Sequence, residues 1–130
     1  MSRRILLCDD EVHVIRAAEF KLSRAGYAVE CAFDGEAAWE AIKRARPDLI
    51  VTDCQMPRLS GIGLVERIRA NESTRDIPVF MLTGKGIELQ QQNVAEHLGL
   101  LGIISKPFSP RELLVRVNEV LQVASSGVEA

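Results

Sequence analysis

The chain has 130 residues, of which 47% are hydrophobic and 26% are charged. This length suits one domain, and the composition excludes an intrinsically disordered segment and a long coiled coil. A net charge of −2 provides no basic surface for nucleic acid, and no apolar stretch approaches the ~20 residues of a membrane span. The sequence turns acidic before a signal-peptide core could form, so we expect a cytoplasmic protein with no direct nucleic-acid or membrane contact.

Five short runs of residues predict β-strands. These runs are mostly apolar throughout rather than alternating, which is typical of strands buried on both faces of a parallel sheet. In chain order the predicted strands are Arg4–Cys8, Tyr27–Ala32, Leu49–Thr52, Pro78–Leu82 and Leu101–Ser105.

Helical spacing of apolar residues predicts one helix after each strand. The predicted helices are Glu11–Arg24, Gly35–Arg44, Ile62–Ala70, Ile87–His97 and Arg111–Val123. Asp34, Ser60 and Ser109 are predicted to cap the second, third and fifth helices, because their side-chain oxygens can accept from unpaired backbone N–H groups. Gly26 and Gly99 are predicted to end the first and fourth helices.

The alternation of strands and helices gives a (βα)5 pattern. Parallel strands joined by right-handed crossovers form an α/β doubly wound five-stranded parallel sheet with helices on both faces. We expect one folded domain at residues 1–124, followed by a flexible C-terminal tail at residues 125–130. Ligand sites in such sheets lie at the carboxyl ends of the strands.

Chemically capable side chains follow the predicted strands at that edge. Asp9 and Asp10 follow the first strand, Asp53 the third, Thr83 the fourth and Lys106 the fifth. Carboxylates from two strands make an oxygen-rich site with few protein ligands, which suits Mg²⁺ because this ion keeps several of its waters. The added hydroxyl and ammonium groups exceed what a metal alone requires and favour a site that also holds a phosphoryl group.

The predicted nucleophile is Asp53, which stands alone at its strand end, whereas Asp9 and Asp10 form a pair suited to a metal. Carboxylates of this kind form aspartyl phosphates in other proteins. Taken singly, an aspartate at a strand end is more often a cap or turn residue, and a Lys-Pro pair is more often a solvated turn. Five such groups on one edge are not explained by capping, which favours the phosphoryl site.

Four segments of the chain together resemble the receiver domain of two-component response regulators. They read "ILLCDDE", "DLIVTDCQMPRLSG", "IPVFMLTG" and "ISKPFSPREL", and the resemblance covers nearly the whole sequence. It implies that residues 1–124 form a receiver domain with flavodoxin-like strand order 2-1-3-4-5.

The resemblance also implies a metal site. Asp9 and Asp10 resemble the acid pair that binds Mg²⁺ in this family. Asp53 and the backbone carbonyl of Gln55 would complete the set of protein ligands.

The implied reaction is transfer of a phosphoryl group from a sensor histidine kinase or phosphotransfer protein to Asp53. Thr83 resembles the switch hydroxyl, Lys106 resembles the lysine that contacts the phosphoryl group, and the Lys106–Pro107 peptide is expected to be cis. A face built from the fourth helix, fifth strand and fifth helix would then control a downstream output protein or domain. The chain would catalyse its own phosphorylation and dephosphorylation without being a turnover enzyme, as a monomer or a phosphorylation-linked dimer.

The sequence departs from the family pattern at several positions. Ile103 lies three residues before Lys106, where the family usually carries an aromatic switch residue, which predicts a muted coupling to the output face. Leu100 is bulky where the family favours a small residue. Gln55 and Lys85 occupy variable positions that tune the lifetime of the phosphoryl group.

Three alternative functions use similar parts. Haloacid-dehalogenase-like phosphatases pair an aspartate nucleophile with Thr, Lys and Mg²⁺, but they need a second acid two residues later, where this chain has Gln55. A flavodoxin-like FMN site is disfavoured because "CDDE" would repel a phosphate. A receiver that acts only as a phosphorylation-independent docking module stays open because of Ile103, as does the choice between a stand-alone regulator and one part of a longer protein.

Overall fold

A five-stranded parallel sheet forms the centre of the computed structural model, which describes residues 2–84 and 96–129, the last of these (123–129) by backbone alone. The strands are β1 Arg4–Cys8, β2 Ala28–Ala32, β3 Leu49–Asp53, β4 Val79–Thr83 and β5 Gly102–Ser105. Their order is β2-β1-β3-β4-β5, and every neighbouring pair is parallel. The predicted α/β doubly wound sheet and its flavodoxin-like strand order are confirmed.

The helices follow the strands as predicted. They are α1 Val12–Arg24, α2 Gly35–Arg44, α3 Gly61–Ala70 and a C-terminal helix Pro110–Glu129. Most of the predicted helix Ile87–His97 lies outside the described residues, although residues 96–98 are helical. The backbone of the predicted tail is helical as far as Glu129, and the flexibility of that tail stays a prediction. No helix among the described residues is long and apolar enough to cross a membrane.

Two apolar layers sandwich the sheet because alternate strand residues point to opposite faces. Along β1, Ile5 and Leu7 pack with α1 and the C-terminal helix, whereas Leu6 and Cys8 pack with α2 and α3. Residues of β3 and β4 alternate between the same two layers. Both faces of the central strands are therefore buried, which explains why their sequences are apolar throughout.

Three helix starts have the caps that the sequence predicts. The side-chain oxygens of Asp34, Ser60 and Ser109 each accept from the backbone N–H three residues further on, at 2.8, 3.0 and 3.0 Å respectively. The predicted stops are present as well, since Gly26 and Gly99 have φ values of 103° and 65°. Such positive φ values favour glycine because it has no Cβ.

The Arg69 side chain links α3 to two loops at the edge of the sheet where the strands begin. Its guanidinium donates to the carbonyl oxygens of Arg75 and Ile77, at 2.9 and 2.7 Å. It also donates to the carbonyl oxygens of Leu98 and Gly99, at 2.7 and 3.2 Å. One side chain thus holds the entry to β4 and the approach to β5 against the end of α3.

The start of α3 lies directly against the end of β3. A Cβ added to Gly61 would lie 1.9 Å from the backbone oxygen of Asp53, and the Gly61 N–H donates to Cys54 O at 2.9 Å. Only a residue without a side chain permits this approach of two backbone segments. Gly61 therefore fixes the backbone that carries Asp53.

Replacing Gly61 with alanine tests this packing. We expect Gly61→Ala to lower the free energy of unfolding by about 2–4 kcal/mol, because the new methyl group must displace backbone rather than a flexible side chain. Gly84→Ala is the matched control, since a Cβ there meets no described atom within 4 Å. Urea unfolding of both variants measures the difference, and equal stability would contradict the close approach.

Candidate functional site

The carboxyl edge of the sheet brings the predicted site residues together. Asp53 and Thr83 are the last residues of β3 and β4, while Asp9 and Asp10 follow β1 and Lys106 follows β5. An open cleft lies at this edge. The residues lining it are Asp10, Glu11, Asp53, Cys54, Gln55, Met56, Pro57, Gly84 and Lys106.

Three carboxylates form a cluster beside the cleft. Asp9, Asp10 and Asp53 each offer one oxygen, and these oxygens lie within 4.8 Å of one another. Asp9 is fully buried and Asp53 is 8% exposed, whereas Asp10 is exposed. Carboxylate oxygens are the ligands that Mg²⁺ prefers, and the exposed side leaves room for its waters. The cluster could hold a metal ion.

Lys106 supplies positive charge to this cluster. Its Nζ lies 2.8 Å from Asp9 Oδ2, 2.6 Å from Glu11 Oε1 and 3.4 Å from Asp53 Oδ2. The Lys106 side chain is only 17% exposed. A buried carboxylate such as Asp9 is costly without a cation beside it, so Lys106 accounts for the burial of Asp9.

Lys106 does not fully compensate these charges. Burial and then repulsion from Asp9 raise the pKa of Asp53 to about 6, even though Lys106 acts in the opposite direction. Burial of Lys106 works to lower its own pKa, but hydrogen bonds to Asp9 and Glu11 outweigh burial and raise that pKa above its ordinary value. Lys106 therefore keeps its proton at neutral pH, and Asp53 ionises less readily than a solvated aspartate.

Backbone hydrogen bonds place Asp53 and Lys106 at the edge. The N–H of Cys54 donates to Leu82 O at 2.9 Å, which continues the pairing of β3 with β4 just past Asp53. The N–H of Lys106 donates to Thr83 O at 2.7 Å. The Lys106–Pro107 peptide is cis, as expected from the sequence resemblance.

Thr83 contributes a buried hydroxyl. The residue is fully buried, and its Oγ1 has no hydrogen-bond partner among the described residues. Buried hydroxyl groups nearly always have a partner, so this one is suited to a group that arrives at the carboxyl edge.

Two further predictions concern Gln55 and Lys85. Gln55 is exposed and lines the cleft, but the role of its backbone carbonyl as a metal ligand stays a prediction. Lys85 lies outside the described residues. Its effect on the lifetime of a phosphoryl group is therefore also a prediction.

Glu11 is a site residue whose role the sequence did not predict. It was expected to begin the first helix, and its carboxylate instead makes the shortest contact to Lys106. Glu11 directly follows the acid pair in "CDDE", which places it near the cluster but does not link it to Lys106. The sequence alone could not show that the Glu11 carboxylate lies close to Lys106, which follows the fifth strand.

Comparison with known protein families identifies the family of this chain. Residues 5–118 match the family described as the response regulator receiver domain. The chain belongs to this family.

Curated relatives of this receiver domain include two bacterial regulators. The alkaline phosphatase synthesis transcriptional regulatory protein PhoP of Bacillus subtilis is 38% identical over 122 residues, which cover 94% of this chain and 50% of that protein. The phosphate regulon transcriptional regulatory protein PhoB of Pseudomonas aeruginosa is 39% identical over 127 residues, covering 98% of this chain and 55% of that protein. The receiver domain thus spans about half the length of these relatives.

Solved structures of other receivers have the same fold. The chemotaxis response regulator CheY4 of Vibrio cholerae superposes with a TM-score of 0.85 at 30% identity, covering 93% of this receiver domain and 100% of that chain. NtrX of Brucella abortus superposes with a TM-score of 0.84 at 28% identity, covering 99% of this domain and 29% of that chain. A receiver domain of this kind is a signalling module of two-component systems and not a classical enzyme.

The raised pKa of Asp53 predicts how stability depends on pH without metal. The folded protein binds the Asp53 proton more tightly than the unfolded chain does. The contribution of this proton to the free energy of unfolding is therefore full below about pH 4 and is lost as the pH rises through about 6. We expect the free energy of unfolding of Asp53→Asn to exceed that of the wild type by a margin that grows from about pH 4 to about pH 7, by up to about 3 kcal/mol, and then stays constant.

Urea titrations in EDTA between pH 4 and 7.5 measure this margin. Added Mg²⁺ should narrow it at pH 7, because only the wild type keeps all three carboxylates. A margin that does not change with pH would show that Asp53 ionises normally in the folded protein.

Proposed function

We propose that this receiver domain accepts a phosphoryl group on Asp53 from the phosphohistidine of a sensor histidine kinase or phosphotransfer protein. The observation that carries the proposal is the meeting of three carboxylates and the Lys106 ammonium at one strand edge. Asp53 lies at the cleft and close to Lys106, so a donor can approach it while the lysine offsets the incoming negative charge.

The metal in this proposal is Mg²⁺. Its protein ligands would be the side chains of Asp9, Asp10 and Asp53 together with the backbone carbonyl of Gln55. The closeness of the three carboxylate oxygens and the raised pKa of Asp53 support a site that lacks positive charge. When bound, the ion neutralises charge that develops on the transferred group.

In the transfer step an Asp53 carboxylate oxygen attacks the phosphorus of the donor. A new O–P bond forms as the P–N bond to the donor imidazole breaks, and the electron pair of that bond returns to the imidazole nitrogen. Lys106 remains protonated throughout and stabilises the phosphoryl oxygens through charge and hydrogen bonding. Hydrolysis of the acyl phosphate by water would restore Asp53.

Thr83 is the residue proposed to bind the phosphoryl group and to move in response to it. Its buried hydroxyl has no partner among the residues described, so a hydrogen bond to a phosphoryl oxygen adds an interaction without breaking one. The output face would consist of the fourth helix, β5 and the C-terminal helix. Movement of Thr83 would bias the packing of this face.

Ile103 predicts a muted response of that face. It lies in β5 opposite Met81 and is half-buried. An isoleucine has no ring that could rotate between an exposed and a buried position. This residue also keeps open the second candidate function, a docking module that does not depend on phosphorylation.

The partners beyond the phosphodonor are a downstream output protein or domain. The names of PhoP and PhoB describe transcriptional regulators of about twice this length, which supports an output step in gene control. We propose a cytoplasmic domain that works as a monomer or as a phosphorylation-linked dimer and makes no direct contact with nucleic acid. The phosphatase alternative is disfavoured, because position 55 carries an amide rather than the second acid.

Incubation with acetyl phosphate and Mg²⁺ tests the proposed function. We expect the intact mass of the wild type to rise by one phosphoryl group, because Asp53 is accessible from the cleft. The Asp53→Asn variant should gain none, and EDTA should abolish the gain in the wild type.

The control variant is Asp48→Asn, which changes an aspartate at the opposite edge of the sheet and should be phosphorylated normally. Equal phosphate incorporation by wild type and Asp53→Asn would assign the chemistry to another residue. No incorporation by either protein would favour the docking module.

A further inference from the structure

The Glu11 carboxylate makes the shortest of the three contacts to Lys106. We propose that Glu11 is a positioning residue that holds Lys106 in the unphosphorylated protein and gives it up to the phosphoryl group. This inference rests on the proposed function and adds a regulator of its rate. In this reading the Glu11–Lys106 ion pair must break before Lys106 can contact the phosphoryl oxygens fully.

The distances support a competition for one ammonium group. Lys106 Nζ lies 2.6 Å from Glu11 and 2.8 Å from Asp9, but 3.4 Å from Asp53. In the unphosphorylated protein Lys106 is therefore drawn toward the end of β1 and away from the phosphoacceptor. New negative oxygens on Asp53 would attract it in the opposite direction.

The local backbone explains why Glu11 is available to Lys106. Glu11 occupies the residue before α1, with φ −85° and ψ 95°, but its side chain makes no capping hydrogen bond to that helix. Its own N–H donates to Asp9 Oδ1 at 3.0 Å, which fixes the Glu11 backbone to the acid cluster. The Glu11 side chain is thus placed beside the site and is not used by the helix.

Burial decides which contact is given up. Asp9 is fully buried, so removing its cation would leave an uncompensated charge in the interior. The Glu11 side chain is 58% exposed, and its carboxylate can be solvated as soon as Lys106 leaves. When phosphoryl oxygens compete for Lys106, Glu11 is therefore the partner that is released.

Two substitutions separate this contact from the charge of Glu11. Glu11→Gln removes the charge. Glu11→Asp keeps the charge but shortens the side chain, and aspartate before a helix favours a capping bond to the helix N–H groups over a reach to Lys106. Glu66→Gln, an exposed acid on α3, controls for the change in net charge.

We expect both Glu11 variants to be phosphorylated by acetyl phosphate about two- to fivefold faster than the wild type, because an exposed ion pair is worth at most about 1 kcal/mol. Glu66→Gln should react at the wild-type rate. The rates are measured from intact mass against time at saturating Mg²⁺. If Glu11→Asp reacts like the wild type or more slowly, the contact does not restrain Lys106 and the inference is overturned.

The nuclear magnetic resonance signals of the Lys106 Cε and Nζ atoms provide a second readout. We expect these signals to differ between wild type and Glu11→Asp in the metal-free form, and to coincide once beryllofluoride and Mg²⁺ occupy the site. A difference that persists with beryllofluoride would mean that Glu11 keeps its contact, which overturns the exchange. If the wild type gains no phosphate and binds no beryllofluoride, the proposed function fails and the inference fails with it.

Discussion

The contact of one ammonium group with three carboxylates is the interaction on which this site depends. Lys106 allows Asp9 to be completely buried, acts to lower the pKa of Asp53 and contacts Glu11. Among the described residues at this edge, four carboxylates, including that of the exposed Asp10, lie around the single ammonium group of Lys106. This imbalance keeps the pKa of Asp53 high and makes the edge sensitive to any cation that arrives.

The sheet topology is what creates that imbalance. Acidic groups come from β1 and β3, which are neighbours, and the lysine comes from β5 at the sheet border. Parallel pairing directs all three strand ends to one edge, so charges that are far apart in sequence meet within 4 Å. The two apolar layers bury both faces of the central strands, and the polar side chains of the site lie at the strand ends or directly after them.

Much of the fold and site was predictable because it depends on local patterns. Apolar runs predicted the strands, and capping residues predicted three helix starts. The positions of the acids and of Lys106 at the strand ends predicted the site. Two features were not predictable because they depend on distant contacts. The contact of the Tyr27 hydroxyl, which donates to Asn118 Oδ1 at 2.5 Å, joins residues 91 positions apart. The carboxylate of Glu11 had no sequence signal that linked it to Lys106, ninety-five residues away.

Arg69 donates to four backbone carbonyl groups, and these bonds differ from the carboxyl edge in how they respond to pH and to metal concentration. An arginine keeps its proton throughout the physiological range, and a peptide carbonyl has no proton to lose, so these bonds do not respond to pH or to metal concentration. The carboxyl edge, in contrast, changes its charge with both. The Arg69 bonds therefore hold the segments that lead into β4 and β5 in a way that does not depend on the charge state of the carboxyl edge.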